Sequence, residues 1–158
     1  MKLPSSNIVK AVALAVAMLA GVEGMRLQSY QDTGGVWTLC YGYTHGVTKG
    51  MTANKEQCWE MLKEEAMATA TAITPYLPKD LNSNQLAALI SFCYNVGTTA
   101  CRYSSLFRLI NEGNYHMAAK QFGKWVYVKK LDCRIKSNNC SGIVARREME
   151  TELFEKQP

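Results

Sequence analysis

Apolar residues dominate the start of the chain, where an uninterrupted run extends from Ala11 to Val22. The run follows Ile8-Val9-Lys10 and is rich in alanine, a strong helix former. At about 1.5 Å per residue it spans roughly 18 Å, whereas the hydrocarbon core of a bilayer is ~30 Å thick. The pattern therefore predicts a weakly apolar helix that is marginal as a membrane span.

The rest of the chain predicts a small sheet followed by helices. β-forming residues and glycines alternate from Leu27 to Tyr43, which predicts an antiparallel sheet or hairpin. Beyond it, apolar residues recur at helical spacing, and capping residues, Gly and Pro mark the ends. The predicted helices span Thr52 to about Ile73, Asn82 or Ser83 to near Gly97, 104–110, 115–125 and 143–154. With neither a repeat nor a low-complexity linker, we expect one α+β domain with a sheet lobe, a helical lobe and a cleft between them.

Charge and cysteines narrow the function classes. The net charge is +5 over 158 residues, which favours anionic partners or only aids solubility. No basic stripe with interleaved aromatics is present, so we expect no nucleic-acid partner. The six cysteines form neither a C-x-x-C pair nor a Cys/His cluster, which argues against a metal site. Their even number fits disulfides formed outside the cytoplasm, although reduced cysteines in a cytosolic protein are the alternative. Among the fifteen possible pairings we favour 40–58, 93–101 and 133–140.

Two carboxylates and a hydroxyl follow the apolar run at short spacing, namely Glu23, Asp32 and Thr38. Glycosidases combine a carboxylic acid that keeps its proton with a carboxylate that stays ionised. Glu23 emerges from an apolar helix and is the candidate acid, while Asp32 lies in a more polar turn and is the candidate carboxylate. The alternatives are a solvent-exposed pair of Glu23 with Arg26, a turn-forming aspartate, and an ordinary strand threonine.

The segment that holds these residues resembles the catalytic signature of the phage-type lysozymes, roughly E-G-x-x-L-x-x-Y-x-D-x-x-G-x-x-T-x-G-x-G-H. The matching positions are Glu23, Gly24, Leu27, Tyr30, Asp32, Gly35, Thr38 and Gly42. Cys40 and Tyr43 depart from the signature, because many members have glycine and histidine there.

The resemblance implies an endolysin for host cell lysis. It would hydrolyse the β-1,4 bond between N-acetylmuramic acid and N-acetylglucosamine in peptidoglycan, with inversion. Asp32 would position the attacking water, and Thr38 would help to hold it. We expect a monomer that needs no cofactor. A lytic transglycosylase, which leaves an anhydro-sugar end, and a non-catalytic, membrane-anchored peptidoglycan-binding module are the alternatives.

Other residues are assigned by the resemblance with less support from the sequence. Thr44, Tyr94, Asn95 and Ser105 match substrate-binding positions of the cleft, although a buried aromatic and a helix cap explain Tyr94 and Asn95 as well. One arginine of Arg146-Arg147-Glu148 would approach the catalytic acid, and a solvated charged face is the alternative. His45 and His116 lack a Ser or Cys relay partner in the sequence, so we interpret both as structural.

The apolar N-terminus has three interpretations: a cleaved signal peptide, a buried core helix, or an uncleaved anchor. Some lambdoid-phage lysozymes begin with a signal-arrest-release helix that enters the inner membrane and later leaves it. Resemblance to them implies that residues 1–22 are such a signal anchor and 23–158 the lysozyme domain. The protein would then wait, inactive, at the host inner membrane and become active in the periplasm.

Overall fold

Seven helices and two small antiparallel sheets make up the described part of the chain. The computed structural model describes residues 5–32 and 34–157; residues 1–4 of the predicted anchor and Thr33 of the predicted turn lie outside them. The helices are α1 Ser6–Val22, α2 Lys55–Ile73, α3 Ser83–Val96, α4 Thr98–Arg102, α5 Ser105–Asn111, α6 Tyr115–Ala119 and α7 Gly142–Glu155. The strands are β1 Arg26–Gln31, β2 Trp37–Cys40, β3 Tyr127–Val128 and β4 Leu131–Asp132. The α+β class is confirmed.

The apolar N-terminal segment is a core helix in this structure. Ser5 caps α1 by accepting a hydrogen bond from the Ile8 amide at 3.2 Å. One face of the helix packs against α3 and α2 and is buried. That face consists of Ala11, Val12, Ala15, Val16 and Leu19. Val9 and Leu14, on the other face, are exposed. Within the described residues, the helices lack the combination of length and apolarity that a membrane span requires.

Helix α2 begins later than the sequence analysis predicts. Thr52 does not cap it; it forms an isolated bridge with Gln28 of the sheet lobe. The cap is Asn54, whose side chain accepts from the Gln57 amide, while the Gln57 side chain accepts from the Asn54 amide, each at 2.8 Å. This reciprocal box satisfies two amides that a helix start leaves without partners. The predicted end at Ile73 is confirmed.

The prediction of one helix over 115–125 is wrong. Helix α6 ends at Ala119, and a separate 3₁₀ turn covers Phe122–Lys124. Gly123 is a poor helix former, and the break turns Phe122 and Trp125 toward the same core aromatic. Their rings lie 5.5 and 5.3 Å from the ring of Phe92. Helix α4 and the β3–β4 hairpin are not predicted from the sequence, because both are too short to show a hydrophobic period.

Two hydrophobic cores correspond to the two predicted lobes. The larger lies among the helices, and the smaller lies between β2 and the start of α2, with Leu39, Cys40, Val47 and Cys58 buried. Tyr41 packs against both cores, so it lies at the junction of the lobes.

The favoured cysteine pairing is confirmed, with disulfides Cys40–Cys58, Cys93–Cys101 and Cys133–Cys140. The first joins the sheet lobe to α2, the second joins α3 to α4, and the third closes the segment that follows β4.

Candidate active site

Glu23 is the residue that ends α1. Its backbone leaves the helical conformation, with φ −89° and ψ 123°, while its amide still donates to the Leu19 carbonyl at 2.8 Å. The carboxylate is therefore attached to the buried helix but extends from its last turn. The side chain is one quarter exposed, so it is partly shielded yet reachable from solvent.

A cation from the far end of the chain holds this carboxylate. Arg146 of α7 donates through Nη1 to Glu23 Oε1 at 2.7 Å, and the arginine itself is buried. The prediction that one arginine of Arg146-Arg147-Glu148 approaches the acid is thus confirmed. The alternative pair of Glu23 with Arg26 is wrong, because the Arg26 guanidinium stacks over the Tyr30 ring at 4.2 Å.

Gly42 leaves room for the second oxygen of Glu23. A Cβ at this position would lie 3.2 Å from Glu23 Oε2 and 3.7 Å from Cδ. Gly42 also has φ +74°, a conformation that other residues adopt only with strain. Both observations explain why the signature has glycine here. Only glycine satisfies the backbone conformation and the space beside the carboxylate together.

Asp32 ends β1 and organises the turn toward β2. Its Oδ1 accepts hydrogen bonds from the amides of Gly34 at 2.8 Å and Val36 at 2.9 Å. The aspartate is therefore turn-forming, as one alternative held, but two amide bonds on Oδ1 also fix the orientation of the carboxylate. Because Asp32 is exposed, its Oδ2 can be approached by water.

Thr38 lies on β2 directly opposite Tyr30 of β1. Its side chain is buried, and its hydroxyl donates to the Val36 carbonyl at 2.9 Å. Because the hydroxyl proton is engaged, Oγ1 is left as a hydrogen-bond acceptor. Asp32 Oδ1 and the Thr38 hydroxyl thus both bind the backbone of Val36, which couples the positions of the two predicted catalytic residues.

Known proteins resemble this chain in sequence and in fold. A family model described as phage lysozyme matches residues 20–150. The chain belongs to the phage lysozyme family. An endolysin of Acyrthosiphon pisum secondary endosymbiont phage 1 is 33% identical over 140 residues, which cover 89% of this chain and 94% of that protein. A SAR-endolysin of Enterobacteria phage P21 is 33% identical over 150 residues, covering 90% and 87%. A solved mutant of P22 lysozyme is 33% identical, with a TM-score of 0.76 over 99% of this chain and 100% of that one. This lysozyme is thus a glycoside hydrolase, and its fold is lysozyme-like.

Behind Glu23 and Arg146, the lysozyme contains a buried charged cluster that includes Glu150 and Ser91, which are not among the predicted site residues. Glu150 is fully buried and accepts from Arg147 Nη1 and, at 2.7 Å, from the Ser91 hydroxyl. Arg146 Nε lies 3.6 Å from the same carboxylate. Glu150 is three and four residues after the two arginines, the spacing at which helical side chains meet, so the pattern could have indicated it. Burial raises the pKa of Glu150 above the ordinary carboxyl range, and the charge of Arg147 opposes that shift.

Tyr94 on α3 lies close enough to Glu23 to feel the charge of its carboxylate. Its hydroxyl donates to the Tyr41 carbonyl at 3.2 Å, which ties the helical lobe to the junction of the lobes. Burial, followed by the negative charges of Glu23 and Glu65, raises the pKa of Tyr94 to about 12. Tyr94 is thus a neutral hydrogen-bond donor at physiological pH. Its predicted contact with sugar stays a prediction.

The other predicted substrate-binding residues are all exposed. Asn95 follows Tyr94 on α3, and its Oδ1 accepts from Arg147 Nη2, so the Asn95 side chain is oriented by the buried cluster. Thr44 lies in the turn after β2, and Ser105 is the first residue of α5. Within the described residues, His, Cys, Asp and Glu side chains do not gather in groups of three that could hold a metal ion. His45, interpreted as structural, lies 3.6 Å from Glu65.

Proposed function

We propose that this phage lysozyme is an endolysin that hydrolyses the β-1,4 bond between N-acetylmuramic acid and N-acetylglucosamine in peptidoglycan. Family membership supports the reaction class. The observation that carries the assignment of the acid is the Glu23–Arg146 contact, which joins two residues 123 positions apart in the chain. An ordinary surface glutamate at a helix end would not require a buried cation from the opposite end of the chain.

Glu23 acts as the general acid in this proposal. Arg146 occupies Oε1, so Oε2, which faces the space that Gly42 leaves, is the oxygen that delivers the proton. Transfer of that proton to the glycosidic oxygen breaks the bond and leaves Glu23 negatively charged. Arg146 then contacts a full carboxylate. The contact is therefore stronger after proton transfer than before it, which is the difference that lowers a barrier.

Asp32 and Thr38 direct the water. The attacking water donates one hydrogen bond to Asp32 Oδ2 and one to Thr38 Oγ1, so that a lone pair points at the anomeric carbon. Asp32 takes the proton as the new C–O bond forms. This geometry attacks the face opposite the leaving group and inverts the configuration, for which carboxyl separations of roughly 6.5–9.5 Å are typical.

Three variants test the roles. Glu23→Gln and Asp32→Asn should each lower the clearing of permeabilised Gram-negative cells by about 10²–10⁴-fold, the usual contribution of a general acid or base. Glu148→Gln, an exposed change on α7, is the matched control and should keep full activity. Equal lysis by Glu23→Gln and wild type would remove the proposal, and with it any hydrolytic role for the acid.

The products distinguish the mechanisms. Mass spectrometry of digested peptidoglycan should show one water added at each new reducing end, and NMR recorded at once should show the α-anomer. Anhydro ends together with an active Asp32→Asn variant would instead establish a transglycosylase. A β-anomer at first appearance would establish retention and a nucleophilic Asp32.

The same proposal assigns contacts with the glycan to Thr44, Tyr94, Asn95 and Ser105. Asn95 offers the clearest test, because Arg147 occupies its oxygen and leaves its amide nitrogen to donate to a sugar. Asn95→Ala should raise KM several-fold with little change in kcat. A drop in kcat alone would argue against ground-state binding by this residue.

We also propose that the N-terminal segment is a transient anchor in the host inner membrane before it packs as α1. The description of several relatives as SAR-endolysins supports this. Ser6–Val22 would span roughly 26 Å at 1.5 Å per residue, which makes the segment a short anchor. While it lies in the bilayer, its apolar face cannot fill the core against α3, and Glu23 cannot reach Arg146. The tethered form is then inactive, and the released periplasmic form is active.

Substitutions of two leucines distinguish the role of this segment as a membrane anchor from its role as a core helix. Leu19→Ala and Leu14→Ala remove the same apolar surface from a membrane-inserted segment, so both should weaken retention equally in a fractionation assay. Only Leu19 is buried in the packed state, so Leu19→Ala alone should destabilise the released enzyme, by about 2–5 kcal/mol. A fully membrane-bound form that clears cells as fast as the released form would contradict the proposal.

A further inference from the structure

The hairpin of β3 and β4 presents two lysines at its tip. Tyr127 pairs with Asp132 and Val128 with Leu131, so the turn consists of Lys129 and Lys130. Their φ values are +49° and +67°, the positive values at both central positions that characterise type I′ turns. Asn and Gly are the residues that such a turn favours. Turn geometry therefore does not explain why two lysines occupy these positions.

One face of the hairpin is apolar and continues beyond the core. Near its base, Val126 and Cys133 are buried at 2% and 0% exposure, and the Cys133 amide donates to the Val126 carbonyl at 2.8 Å. Two residues further toward the tip on this face, Val128 and Leu131 are 41% and 49% exposed. Ile135, just after the hairpin, is 53% exposed. Large aliphatic side chains are thus presented to solvent around the two lysines.

The net charge of the protein is concentrated at this place. Residues 120–136 contain six basic residues and one acidic residue, so this segment carries the full net charge of +5 and the rest of the chain sums to zero. The acidic residue, Asp132, is bound by Arg134 at 2.8 and 2.9 Å. The hairpin lysines are exposed, as is Lys136. Positive charge and aliphatic surface therefore coincide.

We propose that the hairpin, Tyr127–Asp132 with Ile135 and Lys136, docks on an anionic phospholipid bilayer. Val128, Leu131 and Ile135 enter the interface, and Lys129, Lys130 and Lys136 meet the lipid phosphates. Peptidoglycan is also anionic, but its sugars and peptides offer little for exposed valine, leucine and isoleucine. A bilayer interface accommodates both kinds of side chain at the same depth. This site is separate from α1, whose apolar face is packed in the core.

The test uses the full-length released protein and sedimentation with vesicles of phosphatidylglycerol and phosphatidylethanolamine, or of phosphatidylcholine alone. The key variant is Lys129→Asn/Lys130→Gly, which gives the turn its preferred residues and removes both charges. Each lysine near an anionic membrane contributes about fivefold to partitioning, so binding to the anionic vesicles should fall roughly 25-fold. The thermal midpoint should be unchanged or higher. Lys49→Gln/Lys55→Gln removes the same charge from another exposed surface and should bind like wild type.

The aliphatic part has its own variant, Val128→Ser/Leu131→Ser, which should also weaken vesicle binding at unchanged charge. Retained binding by Lys129→Asn/Lys130→Gly would overturn the proposal. So would equal binding of wild type to phosphatidylcholine. If Lys129→Asn/Lys130→Gly lost binding to purified sacculi but still bound anionic vesicles like wild type, the surface would belong to the cell wall instead.

Discussion

Replacing Arg147 by Met removes a buried cation whose partners are all identified. Arg147 is 2% exposed and donates to the Trp125 carbonyl at 2.9 Å, to Asn95 and to Glu150. The methionine keeps much of the apolar volume but leaves the Glu150 carboxylate with Ser91 and the more distant Arg146. Breaking a buried ion pair from one side costs about 3–5 kcal/mol. For a chain of this size that lowers the thermal midpoint by roughly 6–20 °C.

The loss should depend on pH in a direction that the structure determines. Burial already raises the pKa of Glu150, and Arg147 opposes that rise, so the variant should have a still higher folded-state value. A carboxyl with a raised folded pKa stabilises the protein below its unfolded pKa, near 4.5. That stability is lost as pH rises through the folded pKa. The deficit of Arg147→Met relative to wild type should therefore be larger at pH 8 than at pH 5.

Urea unfolding of both proteins at pH 5, 6.5 and 8 measures this deficit. Arg108→Met, which breaks an exposed pair with Glu112, is the matched control and should cost less than about 1 kcal/mol at every pH. Adding Glu150→Gln to Arg147→Met removes the unpaired carboxylate, so the double variant should recover stability and lose the pH dependence. A deficit equal to that of the control, or one that is the same at pH 5 and pH 8, would show that Arg147 does not stabilise a buried Glu150 carboxylate.

Three further predictions concern the site and its supports. Gly42→Ala should cost about 1–2 kcal/mol of stability because alanine is strained in the left-handed backbone conformation, and it should lower lysis more than tenfold because the added methyl group crowds Glu23. Wild-type activity in the turbidity assay would contradict this. Removing Cys40–Cys58 by paired serine substitutions should cost about 0.8 kcal/mol more than removing Cys133–Cys140, since the loops span 18 and 7 residues; urea midpoints in the reverse order would contradict it. The folded-state pKa of Tyr94 is raised to about 12, so wild type should lose stability as pH rises from 10 toward 12. Tyr94→Phe should lose less over that range, as measured by the thermal midpoint, and an equal fall of the two midpoints would contradict this.

Local chemistry explains which elements could be predicted from the sequence. The Asn82 cap, the Gly97 end of α3 and the sheet segment each depend on residues within a few positions of one another. The predicted start of α2 at Thr52 is wrong because Thr52 and Asn54 are both acceptable caps. Only the bridge of Thr52 to Gln28, a contact with another strand, decides between them.

The site residues show the same difference between local and long-range contacts. Glu23, Asp32 and Thr38 lie within sixteen consecutive positions of one motif, so a sequence pattern can indicate them together. Glu150 and Ser91 belong to helices that meet only in the folded protein, and the Ser91–Glu150 bond spans 59 positions. Nothing in the neighbourhood of Ser91 distinguishes it from other small residues on a buried helix face.

The position of the proposed catalytic acid, Glu23, depends on the order in which these contacts can form. Glu23 is attached to the end of α1, and its carboxylate is bound by Arg146 of α7. Both helices must therefore be packed on α3 before the carboxylate has its partner. Arg146 is oriented in turn by the Ser91 carbonyl at 3.3 Å and by Glu150, both of which are available without α1. The Arg146 guanidinium can therefore be oriented in a helical lobe that lacks α1, whereas Glu23 cannot reach it there. If the site is as proposed, packing of α1 completes it, because the contacts of Arg146 with Ser91 and Glu150 already hold the cation in place.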